Sequence, residues 1–176
     1  MRKLLVTLLV FSLISCGSNK QQDPEIGIYF STAVSSLATF KQKHNELMDS
    51  TTTAINKMLE TYHAKIDTIN LRILLDSAKQ TTLESIAMIE DLNEVDTTIN
   101  FKDKCLDYMN EANNYYNKYF DKFIFLTKTP RQSDSLTTLN AIDNEIKTLT
   151  KKDEACVSAY KDFQAKYGVQ VFLNIK

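Results

Sequence analysis

Apolar side chains recur at alternating intervals of three and four residues through most of this 176-residue chain. That spacing places them on one face of a helix, so it predicts amphipathic helices rather than strands. Glycine and proline, the residues that interrupt helices, occur only three times and twice. The sequence therefore predicts an all-α domain.

The periodic pattern divides into four stretches that are separated by polar connections. A capping aspartate and a first-turn proline at Asp23-Pro24 open the first stretch, and Gly168 is a natural stop for the last. Asn100 is expected to cap the third. The expected helices span about 24–62, 71–92, 101–126 and 130–167. Their short connections favour an antiparallel up-down-up-down four-helix bundle. The alternative is a break within residues 48–70, which would add a helix.

The first 15 residues have the architecture of a secretory signal peptide. Arg2 and Lys3 precede an apolar run, Leu4 to Ile14, that is too short to span a bilayer. The run ends in Leu13-Ile14-Ser15-Cys16, which resembles the lipobox of bacterial lipoproteins. The resemblance implies cleavage before Cys16, lipidation of that cysteine and attachment to a membrane. An ordinary signal peptide followed by a chance cysteine is the alternative.

The remaining chain is expected to comprise a lipidated tether, 16–23, and a bundle domain, 24–176. In enteric bacteria, lipoproteins that are retained in the inner membrane have aspartate at the position of Gly17, so its absence indicates the outer membrane. Whether the protein lies on the periplasmic or the surface face of that membrane stays open. Removal of the signal peptide with Arg2 and Lys3 leaves 19 of the 21 basic residues and all 22 acidic residues, so the charges nearly balance. This balance argues against nucleic acid as a partner.

Two short motifs open the third stretch and close the fourth: Phe101-Lys102-Asp103 and Phe163-Gln164-Ala165-Lys166-Tyr167-Gly168. With the hydrophobic pattern of most of the mature chain, they resemble an uncharacterised family of helical surface lipoproteins from Bacteroidota and spirochaetes. The resemblance implies a helical bundle and an export route, and it brings no catalytic residues with it.

Cys105 and Cys156 lie in the apolar stripes of the third and fourth stretches. The turn between these stretches is centred near Thr129, so an antiparallel pair would bring the two cysteines within about one helical turn of each other. Export permits disulfides, and a bridge between these two cysteines is predicted. Two buried free thiols are the alternative.

The sequence contains no complete motif for a metal site or for a catalytic nucleophile. A carboxylate-bridged dimetal bundle needs two Glu-x-x-His pairs, and only Glu60-Thr61-Tyr62-His63 fits. The other histidine, His44, falls on the apolar face of the first stretch and is interpreted as partly buried and hydrogen-bonded. We expect no metal site, cofactor or catalytic residue.

The aromatic sequence YYNKYFDKFIF in the third stretch has two interpretations. Most of its rings suit core packing. Tyr116 and Phe120 fall just beside the apolar stripe and are predicted to be exposed partner contacts.

Aspartate precedes serine or threonine at five places that resemble the O-glycosylation motif of exported Bacteroidota proteins. About one match is expected by chance. Aspartate, serine and threonine are also frequent at helix caps and turns, so a purely structural role for these pairs is the alternative. The candidate acceptors are Ser50, Thr68, Ser77, Thr97 and Ser135.

Together these features predict a lipid-anchored protein of the cell envelope with a non-enzymatic interaction or structural role. Its partners would be the membrane, through the lipid anchor, and an unknown protein or glycan. The alternative is a binding module for a small apolar or glycan ligand, in a groove beside the aromatic side chains of the third helix.

Overall fold

A computed structural model describes residues 23–60, 65–128 and 134–169, except for the side chains of Leu59, Lys128 and residues 134–136. These ranges contain four α-helices and no strand, which confirms the all-α prediction. The helices are α1 Pro24–Glu60, α2 Thr68–Glu90, α3 Phe101–Lys128 and α4 Asp134–Tyr167. The predicted signal peptide, Cys16 and most of the tether lie outside the described residues. Within them, no helix has both the length and the apolar character needed to cross a membrane.

The helix boundaries follow from local capping chemistry. The Asp23 carboxylate accepts the N–H of the residue two positions later at 3.0 Å, as its capping role predicts. Asp67 likewise accepts the N–H three positions later at 3.0 Å, so α2 begins at Thr68, before the expected start at Leu71. Gly168 has a φ of 66° and ends α4 in the left-handed conformation that glycine adopts easily.

Helix α1 remains helical over residues 48–60, the first part of the 48–70 stretch where a break was the alternative. Its 37 residues include Ser50 and the three threonines that follow, and it ends at Glu60. Buried apolar side chains such as Leu47 and Ala54 continue its inner face through this region. Tertiary packing therefore outweighs the modest helix propensity of serine and threonine here.

Aromatic rings fill much of the space between the helices. Eight of the twelve largest fully buried side chains are phenylalanine or tyrosine. Among the described residues, no Cα atom of α1 lies within 8 Å of a Cα atom of α4. The rings of Phe30 and Phe163 bridge that gap, stacked with centroids 5.0 Å apart and planes 3° apart. We call the rings that meet between these helices the aromatic layer: Tyr29, Phe30, Tyr160 and Phe163.

Contacts between α3 and α4 fix the register of that pair. Phe101 packs on Phe163, Cys105 meets Cys156, and further along the salt bridge Asp107–Lys152 closes at 3.0 Å. Residue numbers rise along α3 as they fall along α4, so these two helices run antiparallel.

Candidate functional site

The two cysteines predicted to meet are in contact in the core. Both are fully buried, and their Sγ atoms lie 3.0 Å apart as free thiols. Their proximity is confirmed, whereas the disulfide itself stays a prediction. Burial raises the pKa of the Cys105 thiol well above its ordinary value. A thiol held in its neutral form is a poor nucleophile, so this position suits a structural role.

His44 lies inside the bundle, as its place on the apolar face predicted. It is 6% exposed, and its Nδ1 atom lies 2.7 Å from the hydroxyl of Tyr116 on α3. Its ring also stacks on Phe40 and meets the edge of Tyr108. Burial lowers the pKa of His44 to about 4, which leaves the imidazole neutral at neutral pH. The hydrogen-bonded histidine is therefore confirmed, with deeper burial than expected.

A buried lysine lies one turn before this histidine. Lys41 is 7% exposed, and its Nζ atom is 2.6 Å from a carboxylate oxygen of Asp153 on α4. The same ammonium lies 5.8 Å from the centre of the Tyr108 ring. We call the group of Lys41, His44, Tyr116 and Asp153 the buried polar centre. It links α1 to α3 through the histidine and α1 to α4 through the lysine.

The prediction that Tyr116 and Phe120 are exposed partner contacts is wrong. Each side chain is 1% exposed. Helix α3 packs against α2 and α4 and also approaches α1, so its buried face is wider than one apolar stripe. Neither residue can touch a partner while the bundle is folded.

A carboxylate in the α2–α3 connection, residues 91–100, takes the capping role that was expected of Asn100. One oxygen of Glu94 accepts the Lys102 N–H in the first turn of α3 at 3.1 Å. Its other oxygen accepts the hydroxyl of Tyr29 on α1 at 2.9 Å. Asn100 instead adopts a φ of 57° directly before α3. Glu94 thus joins α1 to the start of α3.

Asp96 in the same connection reaches the end of α4. Its Oδ2 atom accepts the Lys166 ammonium at 2.6 Å and the Tyr167 hydroxyl at 3.0 Å. Its Oδ1 atom accepts the N–H and the hydroxyl of Thr98. The Lys166 and Thr98 hydrogen bonds hold the pKa of Asp96 well below its usual range. We call Glu94, Asp96 and their partners the end network, because they join α1, α3 and α4 at one end of the bundle.

An open groove of about 350 Å³ lies beside the end network. Ile28, which is 60% exposed, contributes apolar surface, and Glu25 and Asp91 contribute carboxylates. The groove therefore combines apolar and acidic surface, which suits a ligand with an apolar body and a cationic or hydroxyl-bearing group. The full lining is Glu25, Ile28, Tyr29, Asp91, Leu92, Asn93 and Val95.

The candidate glycosylation sites differ in their surroundings. Thr97 is exposed, whereas Ser50, Thr68 and Ser77 are half-buried, and the side chain of Ser135 lies outside the described residues. The aspartates before Thr68 and Thr97 cap α2 and hold the end network, as the turn-and-cap alternative predicts. Modification at any of the five stays a prediction.

The predicted Glu-x-x-His pair is described only in part. Glu60 is exposed at the end of α1, and His63 lies outside the described residues. In the part of the chain that the structure describes, no three His, Cys, Asp or Glu side chains gather as a metal site.

Neither the end network nor the groove was recognised from the sequence. Their only local signal was the pair of acids in the polar sequence NEVDTTIN before α3. Comparisons with protein-family models, curated proteins and solved structures give no match to this chain.

Proposed function

We propose that this chain is a lipid-anchored protein of the outer membrane with a structural or docking role and no catalytic activity of its own. One observation carries the proposal: in the part of the chain that the structure describes, the side chains best suited to chemistry are engaged in contacts between helices. His44 is bonded to Tyr116, Lys41 to Asp153, and the two core cysteines touch each other. Such pairs stabilise one arrangement of the helices.

The length of the helices supports a role as a spacer. Helix α1 has 37 residues, and at 1.5 Å per residue it is about 55 Å long. Its first residue, Pro24, follows the predicted lipidation site, Cys16, by eight positions. A bundle anchored there would hold its far end several nanometres from the membrane.

We infer an up-down-up-down order for the four helices. The antiparallel α3–α4 contacts support it, and so does the Arg72–Asp121 salt bridge, which joins the start of α2 to the later part of α3. In this arrangement the α2–α3 connection, with its end network and groove, faces the anchored end. The α1–α2 and α3–α4 connections face away from the membrane.

Two variants test this function in a strain whose own copy is deleted. Cys16→Ala is expected to abolish lipidation and therefore to fail to correct the defect that the deletion causes. The double variant His44→Phe, Tyr116→Phe keeps two rings in the core and removes their polar atoms, and it is expected to restore function at equal abundance. If the double variant folds and reaches the membrane but fails to restore function, the buried polar centre has a chemical task and the proposal is wrong.

The groove supports a second candidate function, the binding of a small apolar or glycan ligand. Its carboxylates, Glu25 and Asp91, favour an apolar ligand that carries an ammonium group. The binding is tested by titration with dodecylammonium, which is expected to shift the methyl NMR resonances of Ile28, Leu92 and Val95. Equal shifts in the double variant Glu25→Gln, Asp91→Asn would show that the acidic rim does not select the ligand.

A further inference from the structure

The outer side of α2 is the most apolar exposed helix face among the described residues. Among the described residues, six large hydrophobic side chains are more than half exposed, and three of them lie on the outer side of α2: Ile69 at 74%, Ile73 at 61% and Leu83 at 55%. Met88, also on α2, is 51% exposed and contacts Ser36 of α1. The core side of this helix is occupied by other residues. This exposed apolar surface is therefore additional to the one that folds the bundle.

Helix α2 carries the same spacing on two opposite faces. Six of its buried residues follow one another at alternating intervals of four and three: Leu71, Leu75, Ala78, Thr82, Ser85 and Ile89. Six exposed residues repeat those intervals two positions earlier, and we call them the outer row: Ile69, Ile73, Asp76, Gln80, Leu83 and Ala87. Two positions turn a helix by about 200°, so the rows face opposite ways. A mean spacing of 3.5 residues is the repeat by which helices pack on one another.

The outer row is complementary to itself when a second copy runs in the opposite direction. Reversal about position 78 places Ile69 opposite Ala87 and Ile73 opposite Leu83. The same operation places the Asp76 carboxylate opposite the Gln80 amide, which donates one N–H to Glu84 at 2.9 Å and can donate its second to Asp76. We propose that the outer row binds the outer row of a second copy of this chain, antiparallel and related by a two-fold axis.

The polar members of the row select this orientation. A parallel pair would set Asp76 against Asp76, two carboxylates in a poorly solvated contact. In the antiparallel pair each Asp76 meets an amide, and Lys79 of the other copy lies beside it. The two Lys79 side chains also lie near the axis, where the two carboxylates offset their charge. A polar residue at such a packing position fixes register and orientation.

The size of the contact sets its strength. The row spans 18 residue steps, which is about 27 Å. A strip of that length and about 15 Å wide would bury about 400 Å² per copy. This is half of the about 800 Å² that each partner buries in a stable complex. Association is therefore weak in dilute solution. Because two copies that stand upright on one membrane would present parallel α2 helices, the antiparallel contact does not use the proposed lipid anchor and is expected in concentrated solution.

Cysteine cross-linking of the full-length chain tests the geometry. Gln80→Cys places the two thiols about 6 Å apart along the paired helices, and Ile69→Cys places them about 27 Å apart. A short bis-maleimide is expected to link Gln80→Cys to itself and to leave Ile69→Cys unlinked. Mixing Ile69→Cys with Ala87→Cys is expected to restore linkage. The unsubstituted chain, with its own cysteines, gives the background.

Matched charge variants separate this contact from random encounters. Leu83→Glu, in the Gln80→Cys background, is expected to reduce linkage at least tenfold while circular dichroism shows unchanged helix content. Phe125→Glu introduces the same charge at a comparably exposed site on α3 and is expected to leave the linkage unchanged.

The experiment is run on membranes and on purified protein at high concentration. Linkage of Gln80→Cys in concentrated protein supports the contact, and its absence between copies anchored upright on one membrane agrees with the antiparallel order. Background linkage of Gln80→Cys in concentrated protein overturns the proposal, and so does self-linkage of Ile69→Cys, which indicates a parallel pair.

Discussion

Lowering the pH from 7 to 4.5 is expected to destabilise the bundle through His44. The unfolded chain binds a proton at this residue near its ordinary pKa of 6.5, and the folded chain does so only near a pKa of about 4. Between these values the unfolded state holds more protons, so the free energy of unfolding falls as the pH falls. Above about pH 6.5 both states are neutral at this position and the loss disappears.

The expected magnitude is large compared with the total stability of a domain. From those two pKa values, the loss attributable to His44 at pH 4.5 is about 2 kcal/mol. The main cause is burial; the positive charge of Lys41 adds to it, and the negative charge of Asp153 opposes it. Many carboxylates also titrate in this range, so a wild-type measurement alone cannot isolate one histidine.

The double variant His44→Phe, Tyr116→Phe supplies the control. It removes both hydrogen-bonding groups together, which avoids leaving either one buried and unpaired. Urea unfolding at pH 7 and pH 4.5 is measured for both proteins by circular dichroism. The wild type is expected to lose about 2 kcal/mol more than the variant, or about 1 M in the urea midpoint. Equal losses in the two proteins would refute a neutral, buried His44.

Four further outcomes follow from single sites. Phe120→Ala is expected to destabilise the fold by about 3–4 kcal/mol in urea unfolding, because this side chain is buried; a change below about 1 kcal/mol would contradict its position. Asp96→Ala should cost less than Phe120→Ala in the same assay, because its partner Thr98 and its partner at the end of α4, Lys166, are exposed and regain water when the carboxylate is lost; an equal loss would contradict that exposure. In protein exported by its own host, non-reducing peptide mapping should recover Cys105 joined to Cys156, a bond worth about 4 kcal/mol; complete alkylation of both thiols without reduction would argue against it. Metabolic labelling with a fatty-acid analogue should mark the wild type and not Cys16→Ala, and unchanged labelling of the variant would refute the lipid anchor.

Local patterns in the sequence were sufficient to predict the four helices. The three-and-four spacing, the Asp23 cap and the Gly168 stop act within a few residues of one another, and the structure has each of them. The meeting of Cys105 with Cys156 was also predictable, because an antiparallel pair of regular helices fixes which levels face each other. These are cases in which helix geometry alone carries the argument.

Features that depend on several helices could not be predicted in the same way. A single stripe describes a helix with one neighbour, and α3 packs against more than one, so Tyr116 and Phe120 were misplaced. Glu94 rather than Asn100 caps α3, with its carboxylate held between the Lys102 N–H and the hydroxyl of Tyr29, which is 65 residues away in sequence. No periodicity within residues 91–100 encodes that proximity.

The aromatic layer has a consequence for how the bundle opens. Between α1 and α4 the attraction comes from ring contacts and the Lys41–Asp153 pair, since no Cα atoms of the two helices in the described residues approach within 8 Å. A 180° rotation of the stacked Phe30 or Phe163 ring needs extra volume that a close-packed interior does not supply. Ring flipping is therefore coupled to transient separation of these two helices, and its rate reports a breathing motion that leaves the helices themselves intact.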